Sequence, residues 1–163
     1  MRKALKFVHT LAGVGLLGAL ITLSIAIVQI PSPVEQPELY VAFRNLMDAI
    51  ARWLLFPSLI FTLIAGMLSM VVVKSYLHAG WVWAKLATGI IMFEGTLLAV
   101  QGPMQKEAEQ ARAILAAGEG FEKLGTRLDG ELYSIWILAA VCVLNVFLGV
   151  WRPRFSRASD PVS

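Results

Sequence analysis

Five polar residues lie inside otherwise apolar stretches of the sequence, and their chemistry needs an explanation. They are His9, Arg52, Lys85, Glu94 and Asn145. An ionisable group at the centre of a membrane helix costs about 2.5–3.5 kcal/mol, so it requires a partner, a route to the headgroups or a function. A histidine can ligate a metal through a ring nitrogen, and a lysine can bind an acidic group of a ligand.

Depth along the helices sorts these residues into two layers. At a rise of 1.5 Å per residue, His9, Lys85 and Asn145 lie about 3, 6 and 9 Å from the same end of the expected bundle. Met70 falls in this layer, and its thioether could ligate Cu(I) or haem iron, although a methionine in a membrane helix usually serves packing. The inner layer is therefore the candidate cofactor site, with His9 as its metal ligand. Two simpler interpretations stay open, namely a lysine that extends to the headgroups and an interfacial histidine without a ligand.

The outer layer consists of Arg52 and Glu94. Glu94 lies about 13.5 Å deeper than Lys85 and on the opposite face of the same helix. Arg52 lies at the outer end of the preceding helix, from which its long side chain can reach inward. We therefore expect Arg52 and Glu94 to form a buried ion pair that fixes the order of the helices.

Four apolar stretches are long enough to cross a bilayer and to position these residues. The chain of 163 residues is 58% hydrophobic and only 15% charged, which excludes an ordinary soluble enzyme, a disordered tail and a nucleic-acid-binding domain. A hydrocarbon core of about 30 Å requires roughly 20 apolar residues in a helix. The stretches that meet this requirement are 7–30, 50–73, 81–100 and 132–151.

The loop between the third and fourth spans holds one further element. Pro103 suits the first turn of a helix, and apolar residues recur at spacings of three and four until Gly118. We expect an amphipathic helix at about 103–117, which lies on the outer surface or prolongs the third span. The expected fold is all-α, a single membrane domain over 1–163 with four transmembrane helices and this extra amphipathic helix.

Three segments outside the spans are basic with almost no acids, whereas the bases of the other two loops are accompanied by at least as many acids. The amino terminus, the second loop and the carboxyl-terminal tail contain Arg2, Lys3, Lys6, Lys74, Arg152, Arg154 and Arg157. The positive-inside rule places these segments in the cytoplasm. The apolar stretch after Lys6 is longer than the apolar region of a signal peptide, so we interpret it as a retained helix. We expect a multi-pass protein of the bacterial inner membrane with both termini cytoplasmic.

A glycine pattern in the first span is not a nucleotide site. Gly13-Val-Gly15-Leu-Leu-Gly18 matches the dinucleotide-binding pattern, but it lies inside a membrane helix with no preceding strand. Gly15 and Ala19 instead have the spacing of small residues at close helix contacts. The glycines one to three turns past His9 allow close helix packing or leave room for a flat cofactor.

Two short segments resemble known membrane proteins. Residues 4–10, Ala-Leu-Lys-Phe-Val-His-Thr, resemble the start of the HemJ-type protoporphyrinogen oxidases and of the CopD-type copper-resistance membrane proteins. The run Trp81-Val-Trp-Ala-Lys85-Leu is similar to the Trp-x-x-x-Lys-Leu segment of the same group. The length, the four spans and both segments also resemble a bacterial family of predicted integral membrane proteins with no assigned function, and this resemblance is the nearest.

The resemblance implies a haem b site. In the oxidases the first-helix histidine is implicated in haem binding and the third-helix lysine in activity, so these roles would fall on His9 and Lys85. His9 would supply an axial nitrogen and Lys85 would pair with a propionate. Where the oxidases tend to have Tyr-His, this chain has Phe93-Glu94, which leaves the second axial position to Met70 or His78.

Three functional hypotheses follow. The first is a haem b-binding redox protein with its site near the cytoplasmic face. The second is a small non-catalytic membrane scaffold or accessory subunit of a larger membrane complex, whose polar residues only pair helices. The third is passage of a solute or metal ion along Glu94, Met67 and Met70, for which four helices with short loops offer little room. The expected partners are the lipid bilayer and a second copy or another membrane protein, without nucleic acid.

Overall fold

The computed structural model describes residues 2–125 and 128–151, apart from the side chains of Ser75 and His78. The α-helices in these ranges are α1 (Arg2–Gln29), α2 (Pro37–Ile50), α3 (Phe56–Val72), α4 (Gly80–Thr96), α5 (Gly102–Ala117) and α6 (Leu128–Trp151). Two π-helical turns, Ala51–Leu55 and Leu97–Gln101, join α2 to α3 and α4 to α5. Short 3₁₀ helices form at Lys74–His78 and Phe121–Lys123. The basic tail residues Arg152, Arg154 and Arg157 lie outside the described residues.

Within residues 2–125 and 128–151, four helical stretches are long and apolar enough to cross a membrane, which confirms the all-α prediction with four such helices for these ranges. Two of them, Pro37–Val72 and Gly80–Ala117, contain 36 and 38 residues. At 1.5 Å per residue they are about 54 and 57 Å long, well beyond the roughly 30 Å of a hydrocarbon core. Each stretch is longer than a membrane span because it contains an additional helix, α2 in the first stretch and α5 in the second.

A π-helical turn precedes each proline that interrupts a long helix. Pro57 follows the turn Ala51–Leu55, and Pro103 follows the turn Leu97–Gln101. Proline has no amide proton to donate to the carbonyl four residues earlier, and its ring clashes with that carbonyl. A π-helical turn accommodates the misfit, because its carbonyls accept from five residues onward. Both long helices thus continue past their prolines.

The helices pack against one another at two levels along the bundle axis. Within the spans, α1 packs against α3 and α6, and α4 packs against α3 and α6. Beyond the spans, α2 packs against α5. We call α2, α5 and the first turn of α6 the cap. The opposite end, where α1 and α4 begin, is called the basic end because it contains Arg2, Lys3, Lys6 and Lys74.

Candidate functional site

His9 lies at the interface between α1 and α3. Its Nδ1 is 2.9 Å from the carbonyl oxygen of Thr62. Because a carbonyl oxygen only accepts, Nδ1 must donate, and in the neutral ring Nε2 then carries the lone pair. The imidazole packs over Gly66, one turn further along α3, where an added Cβ would lie in ordinary van der Waals contact with Cε1 at 3.6 Å. His9 is thus oriented by α3, with Nε2 as its acceptor atom.

Lys85 extends from α4 to α6. A Cβ added at Gly149 would lie 2.9 Å from its Nζ, so this glycine provides the space for the half-buried ammonium group. Lys85 lies near Cys142, two turns before Gly149 on α6, and near His9 on α1. The two residues that the resemblance singles out therefore lie near each other.

Asn145 joins α6 to α4. Its Oδ1 accepts a hydrogen bond of 3.0 Å from the hydroxyl of Thr88, one turn after Lys85. Its Nδ2 donates to the carbonyl of Val141 on its own helix at 3.0 Å. Thr88 was not identified from the sequence, because a threonine in a membrane helix ordinarily bonds to its own backbone. The amide of Asn145 is used for helix pairing.

Met70 is buried near the end of α3, whereas Met67, one turn earlier, is about half exposed. A cavity of about 160 Å³ at the basic end is lined by Ser69 but by neither His9 nor Lys85. This volume is below the roughly 300–1,000 Å³ of common cofactor pockets. In the described part of the chain, no group of three or more His, Cys, Asp or Glu residues is arranged to hold a metal ion. His9, Met70, Lys85 and Asn145 of the inner layer thus lie outside the lining of this cavity.

Arg52 pairs with Asp48 instead of Glu94. Its Nη2 lies 3.7 Å from Oδ2 of Asp48, one turn earlier on the same continuous helix, and its side chain is 44% exposed. Long helical side chains point toward the helix N-terminus, which directs Arg52 toward the cap. Glu94 is exposed on the face of α4 that points away from the bundle. The expected buried ion pair between Arg52 and Glu94 is therefore absent from the described ion pairs.

The buried charge of the cap is Arg44, which the sequence analysis did not single out. Its side chain is fully buried, and Nη1 lies 2.7 Å from Oε2 of Glu131 on α6. Nη2 lies 3.8 Å from Oε2 of Glu107 on α5, and Nε donates to the hydroxyl of Tyr40 at 2.9 Å. We call these four residues the Arg44 cluster. It ties α2 to α5 and α6 by neutralising a charge that has no access to water.

A regular pattern in the sequence marks this cluster. Tyr40, Arg44 and Met47 follow one another at spacings of four and three residues, and all three are fully buried. Glu107 likewise occupies the buried face of α5 that contains Met104 and Ala111. A charged residue at an apolar position of a helical stripe is the signal that could have identified the cluster.

The polar residues of the spans thus fall into two groups. His9, Lys85 and Asn145 each contact a second helix of the same chain. Glu94 is exposed on the outer side of α4. No family model, curated protein or solved structure matches this chain.

Proposed function

We propose that the protein is a small non-catalytic scaffold or accessory subunit of a membrane complex, bound to its partner through the exposed face of α4. The observation that carries this function is the position of Glu94. Its side chain is exposed, and the exposed residues on either side along this face, Ile91 and Leu98, are apolar. A carboxylate in the middle of an apolar face requires a neighbour that lipid does not provide.

The depth of Glu94 sets the strength of this requirement. It lies about 21 Å along the helix from Gly80, still within a core of roughly 30 Å. The Cα–Cβ bond of a helical residue is tilted toward the helix N-terminus, so the carboxylate is directed toward the middle of the span. A charged group at the centre of a bilayer costs about 2.5–3.5 kcal/mol. A partner that offers a positive charge at this depth removes much of that cost.

The partner that fits best is a different membrane protein with a basic side chain at the level of Glu94. A second copy of this chain would bring a second Glu94 to the same depth, where like charges repel. The arginine closest in level, Arg52, is already beside Asp48 and points toward the cap. Charge complementarity therefore favours a heteromeric contact over a homodimer through this face.

The remaining polar residues of the spans support a structural function. The hydrogen bond from His9 to Thr62 joins α1 to α3, and that from Thr88 to Asn145 joins α4 to α6. Such contacts hold a bundle in one arrangement. The proposal includes a multi-pass protein of the bacterial inner membrane, with the basic end in the cytoplasm according to the positive-inside rule.

Photo-crosslinking on the exposed face of α4 tests this function. Benzoylphenylalanine replaces Ile91 beside Glu94, and in the matched control it replaces Val146 on α6, which is similarly exposed. The proposal predicts a discrete adduct from position 91 alone, whose mass excludes a dimer. The adduct should map to a partner segment with a lysine or arginine and decrease several-fold with Glu94→Gln.

Two outcomes would overturn the heteromeric contact. An adduct with the mass of a dimer would make a second copy the occupant of the face. Adducts of equal yield from positions 91 and 146, or an adduct that does not respond to Glu94→Gln, would show that Glu94 does not direct assembly.

A second function, haem b binding with a redox role, is favoured by the geometry of His9. The hydrogen bond from Nδ1 to the carbonyl of Thr62 fixes the orientation and the tautomer of the ring. Many metal-ligating histidines are oriented in this way, and Nε2 would then be the ligand atom. Lys85, which lies near His9, would pair with a propionate, and Met70 and Asn145 are expected at a similar depth. Haem would supply one-electron redox chemistry, and these side chains would bind and orient it.

Absorption spectra separate the two functions. The protein is expressed with ample haem, purified in detergent and measured oxidised and after reduction with dithionite. Haem binding predicts a Soret band that disappears or shifts in His9→Ala and persists in Glu94→Gln. A colourless protein that co-purifies with a partner would exclude haem binding and support the scaffold.

A further inference from the structure

A small cavity at the basic end has a positively charged lining. Its volume is about 160 Å³, and it lies between the first turns of α1, the last turn of α3 and the 3₁₀ helix Lys74–His78. The lining side chains are Arg2, Leu5, Lys6, Ser69, Val72, Val73 and Tyr76. Two of these residues are cations and none is an acid. The cavity therefore favours an anionic group.

The hydrogen-bond donors of the cavity are the two cations and one phenol. The hydroxyl of Ser69 donates to the carbonyl of Ala65 at 2.7 Å, so its proton is engaged within α3. Arg2 and Lys6 lie four residues apart, on the same face of α1. Tyr76 lines the cavity from the 3₁₀ helix Lys74–His78 and has a phenol hydroxyl that can donate. A tetrahedral oxyanion such as a phosphate group offers enough acceptor oxygens for all three side chains.

The wall that carries Tyr76 is held in place by α4. Its ring packs edge-on against Trp81, with the ring centroids 5.6 Å apart. The indole of Trp83 donates to the carbonyl of Leu77 in the same 3₁₀ helix at 3.0 Å. These contacts fix the position of the tyrosine relative to α1 and α3. The cavity is thus formed by three separate elements.

We propose that this cavity binds the phosphate of an anionic phospholipid headgroup. The other lining residues, Leu5, Val72 and Val73, are apolar, and the surface next to them continues with the exposed Val8 and Val71. A ligand with a phosphate and an attached acyl chain matches both parts of this surface. Basic pockets at the ends of membrane helices bind phospholipid headgroups in this way. The site is independent of the contact proposed at Glu94.

Lipid selectivity of the full chain tests this site. The protein is reconstituted in vesicles of equal parts phosphatidylglycerol and phosphatidylcholine, re-extracted, and its retained lipids are measured by native mass spectrometry. The double variant Arg2→Gln, Lys6→Gln should lower the ratio of phosphatidylglycerol to phosphatidylcholine by about tenfold or more. The matched control Lys3→Gln, Lys74→Gln removes the same charge outside the cavity lining and should change the ratio less than about twofold.

Tyr76→Phe provides an independent variant that leaves the charge unchanged. It should lower the same ratio several-fold, because the phenol would donate to an ionised phosphate oxygen. Equal losses in the two charge variants would overturn the site in favour of general surface attraction. Inorganic phosphate that displaces the retained phosphatidylglycerol and raises the melting temperature equally well would assign the cavity to free phosphate instead of a lipid.

Discussion

Buried polar groups are stabilised in different ways at the two ends of the bundle. In the cap, Arg44 is fully buried and is surrounded by Tyr40, Glu107 and Glu131. At the basic end, His9 and Lys85 are only half-buried, and their neighbours are a backbone carbonyl and glycines. A fully buried charge requires opposite charges and hydrogen bonds, whereas a half-buried group keeps part of its solvation.

Arg44 therefore stabilises the fold, whereas His9 and Lys85 are able to take part in binding. If the Arg44 side chain moved away from Glu107 and Glu131, their carboxylates would remain buried in the cap without a positive partner. Lys85 contacts Gly149 through the mobile end of its side chain, so its ammonium can move at little cost. The cap is therefore the less suitable place for a ligand, and the basic end is the more suitable one.

The largest expected effect is the loss of Arg44. Arg44→Met removes the cation and leaves two carboxylates buried, which should reduce the free energy of unfolding by about 3–5 kcal/mol. Unfolding of the purified protein in mixed detergent micelles, followed by circular dichroism, measures this change. The control Arg52→Met removes a cation that is 44% exposed and lies 3.7 Å from its partner Asp48, and it should stay within about 1 kcal/mol. Equal losses would contradict the special position of Arg44.

A smaller effect distinguishes the two carboxylates of the Arg44 cluster. Glu131 lies 2.7 Å from the guanidinium, within hydrogen-bond distance, whereas Glu107 lies at 3.8 Å. Glu131→Gln should therefore reduce the free energy of unfolding by about 1.5–3 kcal/mol, and Glu107→Gln by less than about 1 kcal/mol. The same unfolding measurement compares the two variants. A larger loss for Glu107→Gln would reverse the order of the two contacts.

The four long helices could be predicted from the sequence, because length and hydropathy are enough to identify them. The full extent of the second helix could not, and that of the third was one of two alternatives. Hydropathy locates the end of an apolar segment, but the helix also extends from α3 back through the π-helical turn Ala51–Leu55 into α2, and from α4 through the turn Leu97–Gln101 into α5. As a result, α2 and α5 are long enough to pack against each other outside the spans.

The depths of the polar residues could also be estimated, but most of their partners could not. The helical rise of 1.5 Å per residue places His9 and Lys85 at a similar depth. Depth does not determine which neighbouring helix each side chain contacts. Thr62, Thr88 and Gly149 became partners because of the helix order α1, α3, α4, α6, which depends on packing between distant segments. The pairing of Arg52 with Glu94 was predicted from depth alone. It did not take into account that the Arg52 side chain points toward the N-terminus of its helix, where Asp48 lies.

At the basic end, loss of His9 should have a modest effect. His9→Phe keeps a ring against Gly66 but removes the hydrogen bond to Thr62, so the free energy of unfolding should fall by about 0.5–1.5 kcal/mol. The neighbouring exposed Thr10 provides the control, since Thr10→Val should stay within about 0.5 kcal/mol. If His9→Phe reduced the free energy of unfolding as much as Arg44→Met, His9 would be as important for stability as Arg44.

The smallest expected effect is the coupling between Thr88 and Asn145. A double-mutant cycle of Thr88→Val and Asn145→Leu should give a coupling energy of about 0.6 kcal/mol, the usual size for a hydrogen bond between membrane helices. The value is small because each side chain also has a backbone carbonyl on its own helix within reach. A coupling above about 2 kcal/mol would mean that α4 and α6 are held by polar contacts as strongly as the cap. The half-buried residues beside them would then be part of the same rigid network, and Lys85 could not move toward a ligand without disturbing it.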